Sequence, residues 1–353
     1  MSWFKMIAAA LVMAFTALPV FAQNVTDNEH GVLKLDRKNA DMLPKNFRTS
    51  EYAFEKELLA GPAPSRLGME NLRISGSSAF SELEYEQIIK HIPAAPEKIY
   101  DVDLRGETHG YINGDAVSWY KEKDWGNKGK KHDYIVNTEK KLFAEIRRMP
   151  VIEVGILGAN KEIVPGKYYT FDVKEALTEQ QMTARHGTKY LRLTLTDHLS
   201  PNHAEVDRFI RFCRTVPDDA WLHFHCFAGK GRTTTFMVMY DMIKNAGKVA
   251  FSDIVMRQFA IGGINLTAYN PNKPVWRQKA VNERIAFLKD FYQYVRENPK
   301  LEKTWTQWVK EHNASQEAVK ELGANGGGFF SADSSPVIGG ADGPTSIIIL
   351  ADQ

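Results

Sequence analysis

Apolar residues recur along this chain at two spacings, every second position and every third or fourth, and the two kinds of stretch alternate. Leu191, Leu193 and Leu195 fall at alternate positions and predict a strand over 190–195. Val206, Phe209, Ile210 and Cys213 follow at helical spacing and predict a helix over 203–214. The run Trp221-Leu222-His223-Phe224 alternates again, as a strand entering a core. Beyond it, 234–243 is largely apolar and reads as a helix that stops near Gly247. The same reasoning predicts a helix over 81–91 ended before Pro93, and a strand over 99–104 that delivers Arg105 to a loop. Further helices are expected over 175–186, 251–259, 281–298 and 305–322. Strands alternating with helices indicate an α/β core.

Other segments break this rhythm. Residues 149–157 and 168–173 read as short strands separated by Gly, Asn and Pro turns, which predicts a small β-rich insert over 135–175. The α/β domain is then expected over 23–134 and 176–322. Residues 23–70 are polar, with few periodic signals, and read as a lead-in with one short helix at 50–59. The Lys- and Gly-rich stretch 121–131 reads as a solvated surface loop, or as a guide for an anionic substrate. Residues 323–353 form a Gly-rich tail expected to be flexible. At the other end, Lys5, an apolar run over 6–18 and Val20-Phe21-Ala22 make a signal-peptide pattern over 1–22, cleaved near Ala22. That run is shorter than the roughly 20 residues a spanning helix needs, so export to the periplasm or medium is expected, with no stable membrane anchor.

Composition narrows the partners. A formal net charge of +2 excludes attraction of a polyanion by the whole surface, so nucleic acid is not expected and any anionic ligand must be met by local clustering. The two cysteines, Cys213 and Cys226, could pair in an oxidising compartment. The chemistry below needs Cys226 free, so both are expected as thiols, with Cys213 in the core.

That chemistry lies in His225-Cys226-Phe227-Ala228-Gly229-Lys230-Gly231-Arg232-Thr233. A strand, a tight glycine-containing loop and a helix turn successive backbone N–H groups toward one point. A phosphate held there meets those donors and the positive end of the helix dipole. The same field stabilises a thiolate. Arg232 can fork onto two phosphate oxygens, which lysine does less well. Nucleophile and anion cradle therefore share one loop, and the reading is a phosphatase. A buried cysteine in a helix-capping turn would leave the arginine unexplained.

Residues 225–235 resemble the active-site signature of the cysteine-dependent protein tyrosine phosphatase superfamily. Residues 221–240 resemble, more narrowly, the bacterial protein-tyrosine-phosphatase-like phytases, which dephosphorylate inositol polyphosphates. Leu72-Arg73-Ile74-Ser75-Gly76-Ser77 with Phe80-Ser81, the stretch 103–111, and Thr196-Asp197-His198 extend the similarity over roughly 65–300. Phe227 departs from the family pattern where glutamate is common, and Lys230 is a second departure, shared with inositol-lipid phosphatases. The resemblance implies a protein-tyrosine-phosphatase-like α/β core with a partial β-barrel insert. It also implies that Asp197 is the general acid, with no metal and no other cofactor.

The residues support that assignment independently. A departing oxygen needs a proton donor on a loop after a core strand. Asp197 follows the 190–195 strand and precedes the turn Ser200-Pro201-Asn202, although capping the next helix is an alternative. His198 contacts substrate or holds the loop. Arg105 and His109 leave another strand. Arg105 binds a phosphate other than the one cleaved, or clamps a carboxylate such as Glu107 or Asp103. Lys230 at the rim favours a substrate with several phosphates. Lys273, with Arg277 and Lys279, reaches the far side of such a pocket or is surface charge. The expected substrate-binding set is His225, Phe227, Ala228, Gly229, Lys230, Gly231, His198, Arg105, His109 and Lys273, around catalytic Cys226, Arg232, Asp197 and Thr233. Phosphotyrosine or phosphoinositide substrates, or a silent phosphate-binding protein, remain the rivals to phytate hydrolysis.

Overall fold

The computed structural model describes residues 31–314, apart from 60, 159–162 and 269, together with the short strands Gln23–Asn24 and Thr26–Asp27. The expected signal peptide over 1–22 and the tail over 323–353 lie outside the described residues.

The central strand is Trp221–Cys226, with all six residues buried. Ile99–Asp103 and Ile74–Ser78 flank it in parallel. Lys189–Arg192 extends the sheet on one side and the antiparallel Arg48–Thr49 on the other. Because side chains alternate along a strand, the central strand serves two cores. Leu222, Phe224 and Cys226 face an apolar cluster built from α4 (His203–Thr215), α5 (Gly231–Asn245), α6 (Phe251–Ala260), α7 (Val275–Glu297) and a last helix over 305–314. Trp221, His223 and His225 face the opposite side. There Phe80 and Tyr85 pack with Met182 of α3 (Glu179–Arg185).

Local signals explain the helix limits. Ser81 caps α1 (Glu82–His91) through a reciprocal bond with Glu84, a device that contributes about 1 kcal/mol. Asn202 caps α4, and Thr178 with Gln181 starts α3. α5 is buried along nearly its whole length, which explains its continuous apolar run.

The second sheet corrects the expected boundaries. It has eight strands, of which Val151–Leu157, Ile163–Asp172 and the two residues Ala176–Leu177 come from the region of the expected insert or its edge. The others are Gln23–Asn24, Thr26–Asp27, Gly31–Arg37, His109–Ile112 and Asp115–Tyr120. The physical reason is burial. Ile152, Val154 and Phe171 of the later strands bury their side chains against Leu33, Ile112, Val117 and Trp119 from those earlier strands. Phe143 of α2 (His132–Ile146) closes the far side against Trp119. The β-rich unit is therefore not a local insert over 135–175. The lead-in also differs from expectation, since 50–59 holds only the 3-10 turn Lys56–Leu58.

Candidate active site

The loop after the central strand is shaped by what grips its carbonyls. The Ala79 amide donates to Phe227 O at 3.1 Å, Asn46 to Ala228 O at 2.8 Å, and Arg48 to Gly229 O at 2.9 Å. In a planar trans peptide the N–H points opposite to the C=O, so the amides of Ala228, Gly229 and Lys230 turn the other way, into the loop. Gly229 has φ 70°, and a Cβ there would lie 2.4 Å from Ser77 C and Ser78 N of the adjacent strand. Thr233, in the first turn of α5, donates to Cys226 Sγ at 3.2 Å. Both cysteines are free, and burial pushes the Cys213 thiol up.

Arg232 is almost fully buried. Its Nη1 donates to Glu107 Oε2 at 2.8 Å and to Leu195 O at 3.1 Å, and its Nη2 to Glu107 Oε1 at 3.2 Å. Nε stands 3.1 Å from Asp197 Oδ1. Burial alone would lower the Arg232 pKa, but Asp197, Glu107 and Cys226 hold it well above the ordinary value. Burial would likewise raise Glu107, yet Arg232 and Arg105 drive its carboxyl far below the usual range.

Asp197 and His198 form one corner. His198 Nε2 lies 3.1 Å from Asp197 Oδ2, and burial lowers the imidazole despite that carboxylate. His198 has φ 67°, a left-handed conformation that costs a residue with a Cβ about 1–2 kcal/mol. Trp125 Nε1 donates to Asp197 O at 2.9 Å, and Arg284 Nη2 to His198 O at 2.8 Å.

Three expected substrate contacts are corrected. His225 is fully buried, with Nε2 at 2.6 Å from Glu179 Oε1, because strand alternation points it away from Cys226. His109 is buried on the same side, bonded to Glu107 O at 2.8 Å and Glu179 Oε2 at 3.0 Å. Arg105 is the carboxylate clamp, at 2.9 Å from Glu107 and 2.8 Å from Asp36. It supports Phe227 from below, with Lys34 Nζ 4.3 Å from the ring centre on the same aromatic. Ala228 and Lys230 are exposed on the loop and Gly231 begins α5. Lys273 is exposed on the turn before α7. The cation of α7 that reaches the loop is instead Arg284, whose Nη1 would lie 3.8 Å from a Cβ on Gly231.

Arg284 and Arg48 escaped the sequence reading. Arg284 follows Arg277 by seven residues, two turns along one helical face, so helical spacing could have found it. Arg48 carries no local signal. Burial lowers its guanidinium to about 10, and it also bonds Thr234 Oγ1 at 3.1 Å.

The fold also gathers two buried sets that the sequence did not suggest, Asp101-Glu179-His225 and Asp103-His109-Glu179, each with ligand-type atoms within 4.8 Å of one another. His225 Nε2 lies 2.6 Å from Glu179 Oε1, closer than the roughly 3.3 Å between two ligands of a tetrahedral ion with bonds of about 2.0 Å, so the first set as placed does not fit such an ion.

Comparison with known proteins gives the relationship. A family model for protein-tyrosine-phosphatase-like phytase, described as inositol hexakisphosphate, matches residues 102–244. A model for the potassium-transporting ATPase A subunit matches 288–347, which begins on α7 and ends outside the described residues. No helix among the described residues is long and apolar enough to cross a membrane. The protein-tyrosine-phosphatase-like myo-inositol phosphatase of Mitsuokella multacida, solved with myo-inositol-(1,3,4,5)-tetrakisphosphate, is 41% identical with a TM-score of 0.76. That match covers 82% of this chain and 49% of the Mitsuokella chain, so the chain spans about half of that relative's length. Effector protein hopD2 of Pseudomonas syringae pv. tomato is 27% identical over 275 residues, covering 75% of this chain and 57% of the effector. A protein-tyrosine-phosphatase-like phytase from Bdellovibrio bacteriovorus is 33% identical with a TM-score of 0.62, covering 83% of this chain and 98% of that one. Matched at 33% identity over 98% of the Bdellovibrio phytase, the chain belongs to the protein-tyrosine-phosphatase-like phytase family.

Proposed function

We propose that the protein is a phosphomonoesterase that hydrolyses inositol hexakisphosphate and lower inositol polyphosphates through a cysteinyl-phosphate. The observation that carries this reading is the meeting of Cys226, Arg232 and Asp197 around one loop, with Asp197 Oδ1 3.1 Å from Arg232 Nε. The Cys226 thiolate attacks phosphorus, and the bond from phosphorus to the ester oxygen breaks. Asp197 gives its proton to that oxygen, which leaves as the alcohol. The loop amides and Arg232 meet the charge on the equatorial oxygens. Water then attacks the cysteinyl-phosphate, the same carboxylate takes its proton, and the S–P bond breaks with Thr233 donating to the departing sulfur. Protein groups meet every charge that develops, so the proposed reaction is independent of metal.

Exposed Lys230, with Arg284 beside Gly231, adds positive charge near the loop and supports a substrate that carries several phosphates. The leader pattern over 1–22 supports export of the enzyme. Phosphate release from inositol hexakisphosphate, compared with a phosphotyrosyl peptide, tests the substrate class. Faster release from the inositol phosphate is expected. Much faster release from the peptide would replace this reading with a protein tyrosine phosphatase.

A further inference from the structure

The loop that carries Asp197 is held by side chains from two other parts of the chain. Left-handed His198 turns the backbone sharply, and the carbonyls on either side of it are each taken by a buried or half-buried donor. Trp125 Nε1 takes Asp197 O at 2.9 Å, and Arg284 Nη2 takes His198 O at 2.8 Å. The Trp125 ring meets Trp276 edge-on at 5.7 Å, and Trp276 in turn meets the His198 ring at 5.6 Å. Two lysines bracket the pair: Lys128 lies 4.0 Å from the Trp125 ring centre, and Lys123 lies 5.3 Å and 5.4 Å from the two rings. Trp125 is anchored in its turn, because Asn127 donates to Gly106 O at 3.0 Å and to Thr108 Oγ1 at 2.9 Å.

We infer that Trp125 is a positioning residue for the acid, docking the 195–199 loop so that Asp197 stands beside Arg232. The inference rests on the phosphatase reading and adds to it a cause for the placement of the carboxylate. The indole N–H and the edge-on contacts of Trp276 with Trp125 and His198 hold the loop through the protein's own groups. The bond is to the acid's own carbonyl, so losing it loosens Asp197 while leaving the Cys226 loop untouched.

Trp125→Phe removes the N–H and keeps a ring for Trp276 and the lysines. The expected result is a kcat on inositol hexakisphosphate about tenfold lower with KM unchanged, and less than about twofold change on p-nitrophenyl phosphate, whose leaving group needs little protonation. In an Asp197→Asn background the same substitution should add nothing. Amide exchange over 195–200 should speed up about tenfold in the variant. Equal kcat losses on both esters, full additivity with Asp197→Asn, or unchanged exchange would overturn the inference. If the unaltered protein cleaves neither ester, the phosphatase reading has failed, and the exchange measurement still decides the docking role of Trp125.

Discussion

Asp197 Oδ1 stands 3.1 Å from Arg232 Nε, the one nitrogen of that guanidinium not turned toward Glu107 or a backbone carbonyl. In the proposed reaction a substrate phosphate entering the loop would compete with the carboxylate for that Nε. Released from the arginine, Asp197 would then be free to protonate the ester oxygen.

Asp197→Asn should therefore slow cleavage of inositol phosphates by about 10²–10⁴-fold and cleavage of aryl phosphates far less. Rates on the two ester classes, measured in parallel, check this. Equal losses would remove Asp197 from the acid role.

Cys226→Ser should lower turnover by on the order of 10⁴-fold or more while retaining substrate binding, since the loop amides and Arg232 remain. Isothermal titration with inositol hexakisphosphate reads the binding. Preserved turnover would refute the nucleophile.

Gly229→Ala should eliminate activity and lower the melting temperature. An added Cβ meets the backbone of the Ile74–Ser78 strand at 2.4 Å, and φ 70° disfavours any L side chain. Unchanged melting and turnover would mean the loop relaxes more than its packing allows.

Asp124 should give stability a pH dependence near neutrality. Burial, reinforced by Glu107, raises its carboxyl from 3.8 to about 7, and Oδ1 is buried with no hydrogen-bond partner. Between those values the folded chain keeps a proton that the unfolded chain has released. Raising the pH through that window therefore costs stability, and the loss is complete above about 7. Asp124→Asn should flatten the fall in melting temperature between pH 4 and 8 expected of the unaltered protein. Parallel curves would exclude this titration.

The nucleophile loop and the α/β core were legible because both rest on local pattern. The Trp221–Cys226 strand and α5 adjoin in sequence, and their apolar periodicity is strong. The strand Gly31–Arg37 is hidden by Lys34 and Asp36, polar residues tolerated inside because Asp36 pairs with both Lys34 and Arg105. His109 and Arg105 looked like substrate ligands because a loop leaving a strand has two sides, and sequence does not say which one meets the pocket. Arg48 reaches Gly229 across 181 positions, a separation over which periodicity carries no information.

Glu179 sits on α3 just past the last strand of the eight-stranded sheet and grips both His109 and His225, the neighbour of Cys226. That one carboxylate thus ties a strand of the eight-stranded sheet to the central strand of the other. Cutting into α3 to obtain a smaller protein would take away the carboxylate that buried His225 contacts, one residue from Cys226. Engineers reshaping the substrate rim would do better to vary the exposed loop residues and leave that carboxylate where it stands.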